Sequence, residues 1–381
     1  MFTRLYIHIP FCLRKCPYCA FVSHESTGDL GNYPKLLLEE MRLAAREATP
    51  QKPLQSIYFG GGTPSLLEPA QVSRVIAEAD RLFGLSAQAE ITLEANPGTV
   101  DSERLAGFLG AGVNRLSLGV QSFADHLLET LGRIHSAQQA RDAFSAARSA
   151  GFANIGIDLI NALPGQTGQM WQEDLLRALQ LAPEHISVYG LSLEEQTPFA
   201  ERYVEDSPLL PDDELAASMF EKADTLLTAG GYEHYEIANY ARPGFRSGHN
   251  SGYWQRDGYL GLGAGAHSFL RNEPYGSRFG NTPEIDKYVA AIQRGDLARL
   301  EATPLSREDA MAEFMYLGLR MADGVEFSDF EQEFGISPEK LYASIFDELV
   351  PAGFLGRGRS SIRLTRRGML LSNQVFARFL P

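Results

Sequence analysis

The chain has 381 residues, with 48 acidic and 34 basic side chains and a formal net charge of −14. This length exceeds that of a typical single core, so we expect one large domain and a smaller one. The negative charge disfavours nucleic acid as a partner. No apolar run is long enough to cross a bilayer, and the first residues show no secretory signal. The sequence therefore predicts a cytoplasmic location and no integral membrane segment.

Short β-rich segments alternate with longer amphipathic segments from the N-terminus to about residue 235. This alternation predicts successive βα units and a parallel sheet. The predicted helices between the strands include Tyr33–Ala45, Ala70–Leu82 and Asp212–Leu227, each with apolar residues at helical spacing. The predicted strands are Leu5–Ile9, Ser56–Phe59, Glu90–Glu94, Arg115–Leu118, Asn154–Leu159, His185–Tyr189 and Glu233–Ile237.

Two α/β architectures fit this alternation, a βα barrel that need not close and a doubly wound open sheet. Unusual polar residues distinguish them, because they follow or end most of the predicted strands. In a barrel these residues would converge on one mouth, whereas an open sheet would spread them apart. We therefore predict an α/β fold built on a partial (β/α)6-type, TIM-like barrel.

The pattern changes beyond about residue 240. Two Gly- and aromatic-rich stretches, ARPGFRSGHNSGYW and DGYLGLGAGAHSF, predict irregular or short-stranded structure. Helices are then predicted at Glu308–Arg320, Ser328–Phe334 and Pro338–Leu349, followed by a strand-turn-strand at Phe354–Leu364 and a helix at Arg367–Phe379. This order is typical of a small α+β, winged-helix-like module. We expect one domain over residues 1–238 and a second over residues 239–381.

All three cysteines, Cys12, Cys16 and Cys19, lie within the segment CLRKCPYC. An odd number of cysteines does not form a disulfide framework, and their crowding indicates one shared metal centre. Zinc would need a fourth ligand, which His8 or His24 could supply. A 4Fe–4S cluster held by three thiolates would leave one iron open to an amino-acid ligand carrying a sulfonium, and its low potential would permit one-electron reduction.

The segment CLRKCPYC after a first strand, with Gly60-Gly61-Gly62-Thr63 after a second, resembles the radical S-adenosylmethionine superfamily. The resemblance implies a 4Fe–4S cluster on the three cysteines and S-adenosylmethionine at the open iron. Tyr18, just before Cys19, is an aromatic residue typical of this loop. Gly61, Gly62 and Thr63 would then expose backbone groups to the cofactor; the alternative for them is a tight turn.

Four further polar residues are candidates for the cofactor pocket. Three of them have an ordinary structural alternative: a helix cap or exposed acid for Glu94, a turn residue for Gln121, and a surface charge for Arg133. Asp158 stands among apolar strand residues, so it needs a partner. Together these residues resemble, in the same order, the oxygen-independent coproporphyrinogen oxidase-like branch of the superfamily. That resemblance extends over almost the whole chain and implies a cofactor contact for Tyr6, six residues before the first cysteine.

Two features separate the members of this branch. Coproporphyrinogen dehydrogenases carry a fourth cysteine two residues after the third, and this chain has Phe21 there. The segment HNSGYW, from His249 to Trp254, resembles the H-N-x-x-Y-W motif of the haem chaperone (HemW) family. The resemblance implies haem binding, with His249 as the candidate ligand of haem iron. The structural alternative is an aromatic turn in which His249 is hydrogen-bonded.

The favoured hypothesis is a haem chaperone that carries the cluster and S-adenosylmethionine and passes haem to an acceptor protein of unknown identity. The rival hypothesis is an oxygen-independent coproporphyrinogen III dehydrogenase, which Phe21 disfavours. A nucleic-acid modifier is a third hypothesis, motivated by the arginines of GRGRSSIRLTRRG, but such a turn is usually a solvated face. The sequence leaves dimer formation open.

Overall fold

The computed structural model describes residues 1–25, 30–48, 50, 52–204, 207–272 and 274–381. Six parallel strands lie side by side in the order of the chain, which is the order of a barrel and not of a doubly wound sheet. The predicted partial barrel is thereby confirmed. The strands are β1 (Arg4–Ile9), β2 (Leu54–Gly61), β3 (Leu85–Ala95), β4 (Arg115–Gln121), β5 (Ile155–Asn161) and β6 (His185–Gly190).

The prediction of a seventh parallel strand at Glu233–Ile237 was wrong. Glu233–Glu236 runs antiparallel to Asn239–Ala241, which in turn runs antiparallel to β6. Only two residues connect the pair, and a parallel arrangement would need a crossover of a dozen residues or so. The seventh parallel strand is Tyr259–Leu262, which pairs with β1 at the opposite edge of the barrel.

Short strands extend the sheet beyond Tyr259–Leu262, as the Gly- and aromatic-rich pattern predicted. They are His267–Leu270, Ser277–Gly280 and Thr303–Pro304, each antiparallel to its neighbour. The helix Gly248–Trp254 precedes them and contacts β2, and Ile285–Arg294 follows the second of them. The sequence motif HNSGYW therefore lies in a helix of about two turns that packs against the barrel.

The remaining helices of this region connect the parallel strands. The three predicted ones occur as Tyr33–Glu47, Pro69–Phe83 and Asp213–Ala229, each within two residues of its predicted bounds. Buried residues on one face of each helix join the hydrophobic core against the sheet. The others are Ser102–Gly110, Asp125–Thr130, Ala137–Ala150, Gly168–Leu181 and Pro198–Arg202, with single 3-10 turns at Pro64–Leu66 and Pro97–Thr99.

The C-terminal residues form the predicted α+β module with a hydrophobic core of its own, which includes Met315, Phe330 and Phe346. Its sheet contains a third strand, Val325–Glu326, that the sequence did not reveal, besides Leu355–Arg357 and Ser361–Leu364. Its helices are Arg307–Gly318, Phe327–Phe334, Pro338–Leu341, Ala343–Leu349, Arg366–Leu370 and Ser372–Ala377.

The predicted division of the chain after residue 238 stays a prediction. The large sheet continues past this point as far as Thr303–Pro304, and the second core begins at Ala310. Within the described ranges, no helix combines the length and the apolar character that a membrane span requires.

Candidate functional site

The carboxyl ends of β2 to β6 surround a cavity of about 670 Å³. This volume lies within the range of roughly 300–1,000 Å³ that encloses drug-sized ligands. The expectation that polar residues converge at one mouth of the barrel is confirmed. Its wall includes these predicted site residues: Cys12, Cys16, Tyr18, Cys19, Gly61, Gly62, Thr63, Glu94, Gln121, Arg133 and Asp158.

The three cysteines lie in the loop that follows β1, and all three line the cavity. Cys12 ends a two-residue strand, Phe11–Cys12, which pairs with His24–Glu25 at the other end of the loop. The Thr63 hydroxyl lies 3.5 Å from the Cys12 sulfur, and an Arg133 N–H lies 3.6 Å from the Cys16 sulfur. These donors would stabilise negative charge on thiolate sulfurs.

His8 braces this loop. Its Nε2 atom lies 2.7 Å from the carbonyl oxygen of Val22, and its Nδ1 atom lies 3.1 Å from the Tyr6 hydroxyl. Both ring nitrogens are therefore engaged, which disfavours His8 as the fourth ligand of a zinc site. His24, the other zinc candidate, is exposed on the return strand of the loop.

Gly61 and Gly62 are required by the close approach of the cysteine loop. A Cβ atom on Gly62 would come within 2.7–2.8 Å of the Phe11 and Ile9 carbonyl oxygens. Gly61 has a φ of +108°, and a Cβ there would lie 2.5 Å from the His8 ring. The glycines thus let β2 lie directly beneath the loop, and both still face the cavity.

Glu94 lies near the end of β3 with both oxygens engaged. It accepts hydrogen bonds from the Tyr58 hydroxyl at 2.8 Å and from the Gly61 N–H at 3.2 Å. Burial raises the pKa of this carboxyl to about 7. At neutral pH about half of the protein molecules would then have an ionised Glu94, and this negative charge suits a positively charged ligand.

Gln121 and Arg133 form a second polar wall beside the cysteines. Gln121 ends β4 with a φ of +69°, an uncommon conformation for a residue other than glycine, and its buried Oε1 atom has no hydrogen-bond partner among the described residues. Arg133 donates to the Gly119 carbonyl oxygen at 2.8 Å, and its Nε–H is also without a partner. An uncommon backbone conformation and unpaired polar atoms at one place are typical of a ligand site.

Asp158 stands among apolar residues in the sequence and was expected to need a hydrogen-bond partner, which the structure supplies. The Ser117 hydroxyl donates to its two oxygens at 3.0 and 3.3 Å. Burial raises the pKa of this carboxyl above its usual value. Tyr18 also lines the cavity, and its ring packs against Phe199 with 6.0 Å between the ring centres.

Two predicted site residues, Tyr6 and His249, do not line the cavity. Tyr6 stacks behind Tyr58, with 6.2 Å between the ring centres. His249 is fully buried, and its two ring nitrogens lie 2.8 Å from the hydroxyls of Ser56 and Tyr253. Burial lowers the pKa of the His249 imidazole well below its usual value, which makes the ring neutral. Haem ligation by His249 stays a prediction that requires one of these two hydrogen bonds to break, because a single ring nitrogen binds iron.

Sequence reasoning missed several residues of the cavity wall: Tyr58, Arg115, Ser117, Ser187, Tyr189 and Asn250. The alternation of side chains along strands could have revealed some of them. Tyr58 precedes Gly60 by two residues and Ser117 follows Arg115 by two, so each pair shares one face of its strand. Asn250 belongs to the HNSGYW motif, and it, not His249, reaches the cavity.

Residues 6–178 match the Radical SAM superfamily, and residues 305–371 match the HemN C-terminal domain. The heme chaperone HemW of Lactococcus lactis is 39% identical over 98% of this chain and 96% of that protein. The Haemophilus influenzae and Escherichia coli proteins of the same name are 37% and 36% identical, each over 99% of this chain and 97% of their own length.

Among solved structures, the coproporphyrinogen III oxidase HemN of Escherichia coli, described as a radical SAM enzyme, resembles this chain with a TM-score of 0.86. The match covers 99% of this chain and 90% of that one at 24% sequence identity, so it shows the fold alone. The sequence identities, together with the superfamily match, place the chain more narrowly. The chain belongs to the HemW family within the radical SAM superfamily.

Proposed function

We propose that this protein is a cytoplasmic haem chaperone that binds haem and passes it to an acceptor protein. The observation that carries the proposal is its identity of more than a third, over nearly the whole chain, to proteins named heme chaperones. Haem and the acceptor are the expected partners, and dimer formation stays open.

Membership of the superfamily implies a 4Fe–4S cluster and S-adenosylmethionine, and the residues of the cavity fit both. We assign the cluster to Cys12, Cys16 and Cys19, whose sulfurs share one wall with hydrogen-bond donors from Thr63 and Arg133. When bound, such a cluster can supply one electron to a sulfonium. The unpaired oxygen of Gln121 and the open cavity beside the cysteines support a resident ligand at this place.

The same residues would position S-adenosylmethionine. Gly61 and Gly62 keep the floor beside the cysteines free of side chains, and Glu94 presents a carboxyl that would attract the positively charged end of the cofactor. Gln121 can accept one hydrogen bond more than the protein gives it. Tyr6 would act through Tyr58, against which it stacks.

The titration of Glu94 predicts a pH dependence. With a carboxyl pKa of about 7, the ionised fraction rises as the pH rises, so the affinity for S-adenosylmethionine should increase by up to about tenfold between about pH 6 and about pH 8. Glu94→Gln should bind more weakly and lose most of this increase, whereas the exposed-acid variant Glu103→Gln should keep it. Isothermal titration of the reconstituted protein checks this, and an unchanged pH profile in Glu94→Gln would contradict it.

The rival function is coproporphyrinogen III dehydrogenase, and Phe21 argues against it. This residue occupies the place of the fourth cysteine of those enzymes and is 64% exposed at the cavity wall. An exposed phenylalanine offers an apolar surface for a macrocycle but has no thiol for chemistry.

Two incubations of the anaerobically purified, reconstituted protein separate the functions. We expect the absorption spectrum of haem to shift when it binds the protein, and the shift to saturate at a fixed ratio of haem to protein. We expect no protoporphyrinogen from coproporphyrinogen III under reducing conditions with S-adenosylmethionine. Protoporphyrinogen formation would overturn the proposal in favour of the dehydrogenase, and absence of haem binding would overturn it outright.

A further inference from the structure

A buried arginine lies at the inner end of the cavity without an ion-pair partner. Arg115 opens β4, is 2% exposed, and contributes to the cavity wall. Its Nε–H has no hydrogen-bond partner among the described residues, and its Nη1 atom reaches Thr92 Oγ1 only at 3.5 Å. A buried guanidinium donor without an acceptor is costly, since the group has lost its hydrogen bonds to water.

Three acids interact electrostatically with Arg115, and all are engaged elsewhere: Glu90, Asp158 and Glu94, the last with Tyr58 and Gly61. Glu90 accepts the Gly248 and His249 N–H groups, both at 2.9 Å, and so caps the HNSGYW helix. Asp158 accepts the Ser117 hydroxyl. None of these acids forms an ion pair with Arg115 in the described parts of the chain. Their charges raise the pKa of the guanidinium from a distance, but its Nε–H has no acceptor among the described residues.

His185 supplies a second unpaired donor close by. Its Nε2 atom lies 2.8 Å from the Tyr235 hydroxyl, which itself accepts the Ser247 N–H at 3.2 Å. The Ser247 N–H, the Tyr235 hydroxyl and His185 Nε2 are all satisfied if the hydroxyl accepts from Ser247 and donates its proton to Nε2. The neutral imidazole then carries its own proton on Nδ1. That buried Nδ1 atom has no partner among the described residues. It is therefore a free N–H donor.

Gly156 of β5 places no side chain between these donors. A Cβ atom on Gly156 would lie 3.5 Å from His185 Nδ1, 3.5 Å from Ser117 Oγ and 3.6 Å from Arg115 Nη2. Gly156 precedes Asp158 by two residues, so it faces the barrel interior one layer below the part of the cavity that Asp158 lines. Arg115 and His185 thus face one small space, which we call the donor cluster.

We propose that the donor cluster is a carboxylate-binding subsite, and that it takes a propionate group of the tetrapyrrole ligand. Donors without acceptors around a glycine match the two oxygens of a carboxylate, and a guanidinium binds that group in a fork. The identification of the carboxylate as a propionate rests on the proposed haem-binding function. Nothing in the chemistry of the donor cluster requires iron, so the macrocycle itself can be probed.

The first arm of the test compares two ligands on the unmodified, reconstituted protein. Haem carries free propionates, whereas haem dimethyl ester has the same macrocycle without the negative charges. We expect haem to bind roughly tenfold more tightly or better, the range for hydrogen bonds to a charged group. Equal affinities would overturn the subsite while leaving haem binding intact. Failure to bind either ligand would instead overturn the proposed function on which the subsite rests.

The second arm tests whether the preference for haem over its dimethyl ester arises at the donor cluster. Gly156→Ala puts a methyl group into the donor cluster at ordinary contact distances, so the fold should tolerate it. We expect this variant to bind haem as weakly as the ester and to bind the ester as the wild type does. The matched control, Gly190→Ala at the outer end of the cavity, should keep the full preference. If Gly156→Ala folds and still prefers haem over the ester, the assignment of the subsite is overturned. If Gly156→Ala does not fold, Arg115→Gln is titrated with the same two ligands, and it should lose the preference.

Discussion

Cys16→Ser should abolish the iron–sulfur cluster and, with it, the binding of S-adenosylmethionine. The three thiols are the whole set of cysteines in the chain, so no other thiol can replace the lost one. Loss of a residue that is hydrogen-bonded to a metal ligand already lowers metal affinity by up to about 100-fold, and loss of the ligand itself should lower it further. Iron and sulfide analysis after anaerobic reconstitution, with titration of the cofactor, measures both effects.

Leu13→Ser is the matched control for Cys16→Ser, because Leu13 is an exposed residue between the first two cysteines of the same loop and does not line the cavity. It should retain iron, sulfide and cofactor affinity. Full iron and sulfide content in Cys16→Ser would show that the cluster does not depend on this cysteine. Circular dichroism of both variants verifies that the barrel remains folded.

His249→Ala should lower the free energy of unfolding by about 3 kcal/mol. The change leaves the hydroxyls of Ser56 and Tyr253 without their partner and removes a buried ring that packs on Tyr58, with 5.0 Å between the ring centres. Denaturation by urea, followed by circular dichroism, measures the loss. A variant as stable as the wild type would show that the imidazole does not brace the helix against β2.

Ser56→Ala separates bracing from haem ligation. It frees one nitrogen of His249 but keeps the imidazole in place, so it should lose stability in the same direction as His249→Ala and by less. If His249 acts only as a brace, the absorption spectrum of bound haem should be the same in both variants and in the wild type. Loss of the haem spectrum in His249→Ala alone would establish the predicted ligation.

The cysteine site was predictable because its chemistry is local. Three thiols spaced within one short loop can meet one metal centre whatever the rest of the chain does. The order of the parallel strands was also predictable, since each strand is followed by an amphipathic helix that returns the chain in the same direction. The polar residues at the strand ends could then be placed at one mouth.

The roles of His249 and Arg115 were not predictable, because both depend on contacts between residues distant in the sequence. His249 lies 193 positions from Ser56, and the hydrogen bond between them exists only once the HNSGYW helix contacts β2. In the sequence Arg115 is the first residue of an ordinary predicted strand. Only the packed barrel shows that it is buried and that its Nε–H has no partner among the described residues.

Residue type and spacing by themselves determined the kind of site, the succession of βα units and the location of most of the predicted site residues. The tertiary structure alone decided the direction of Glu233–Glu236 and which polar side chains face the cavity. Hydrophobic periodicity indicates that one face of an element is buried, but it does not identify the element against which that face packs. The partner of a buried polar group is chosen by three-dimensional packing, and that choice separates a ligand-binding residue from a brace.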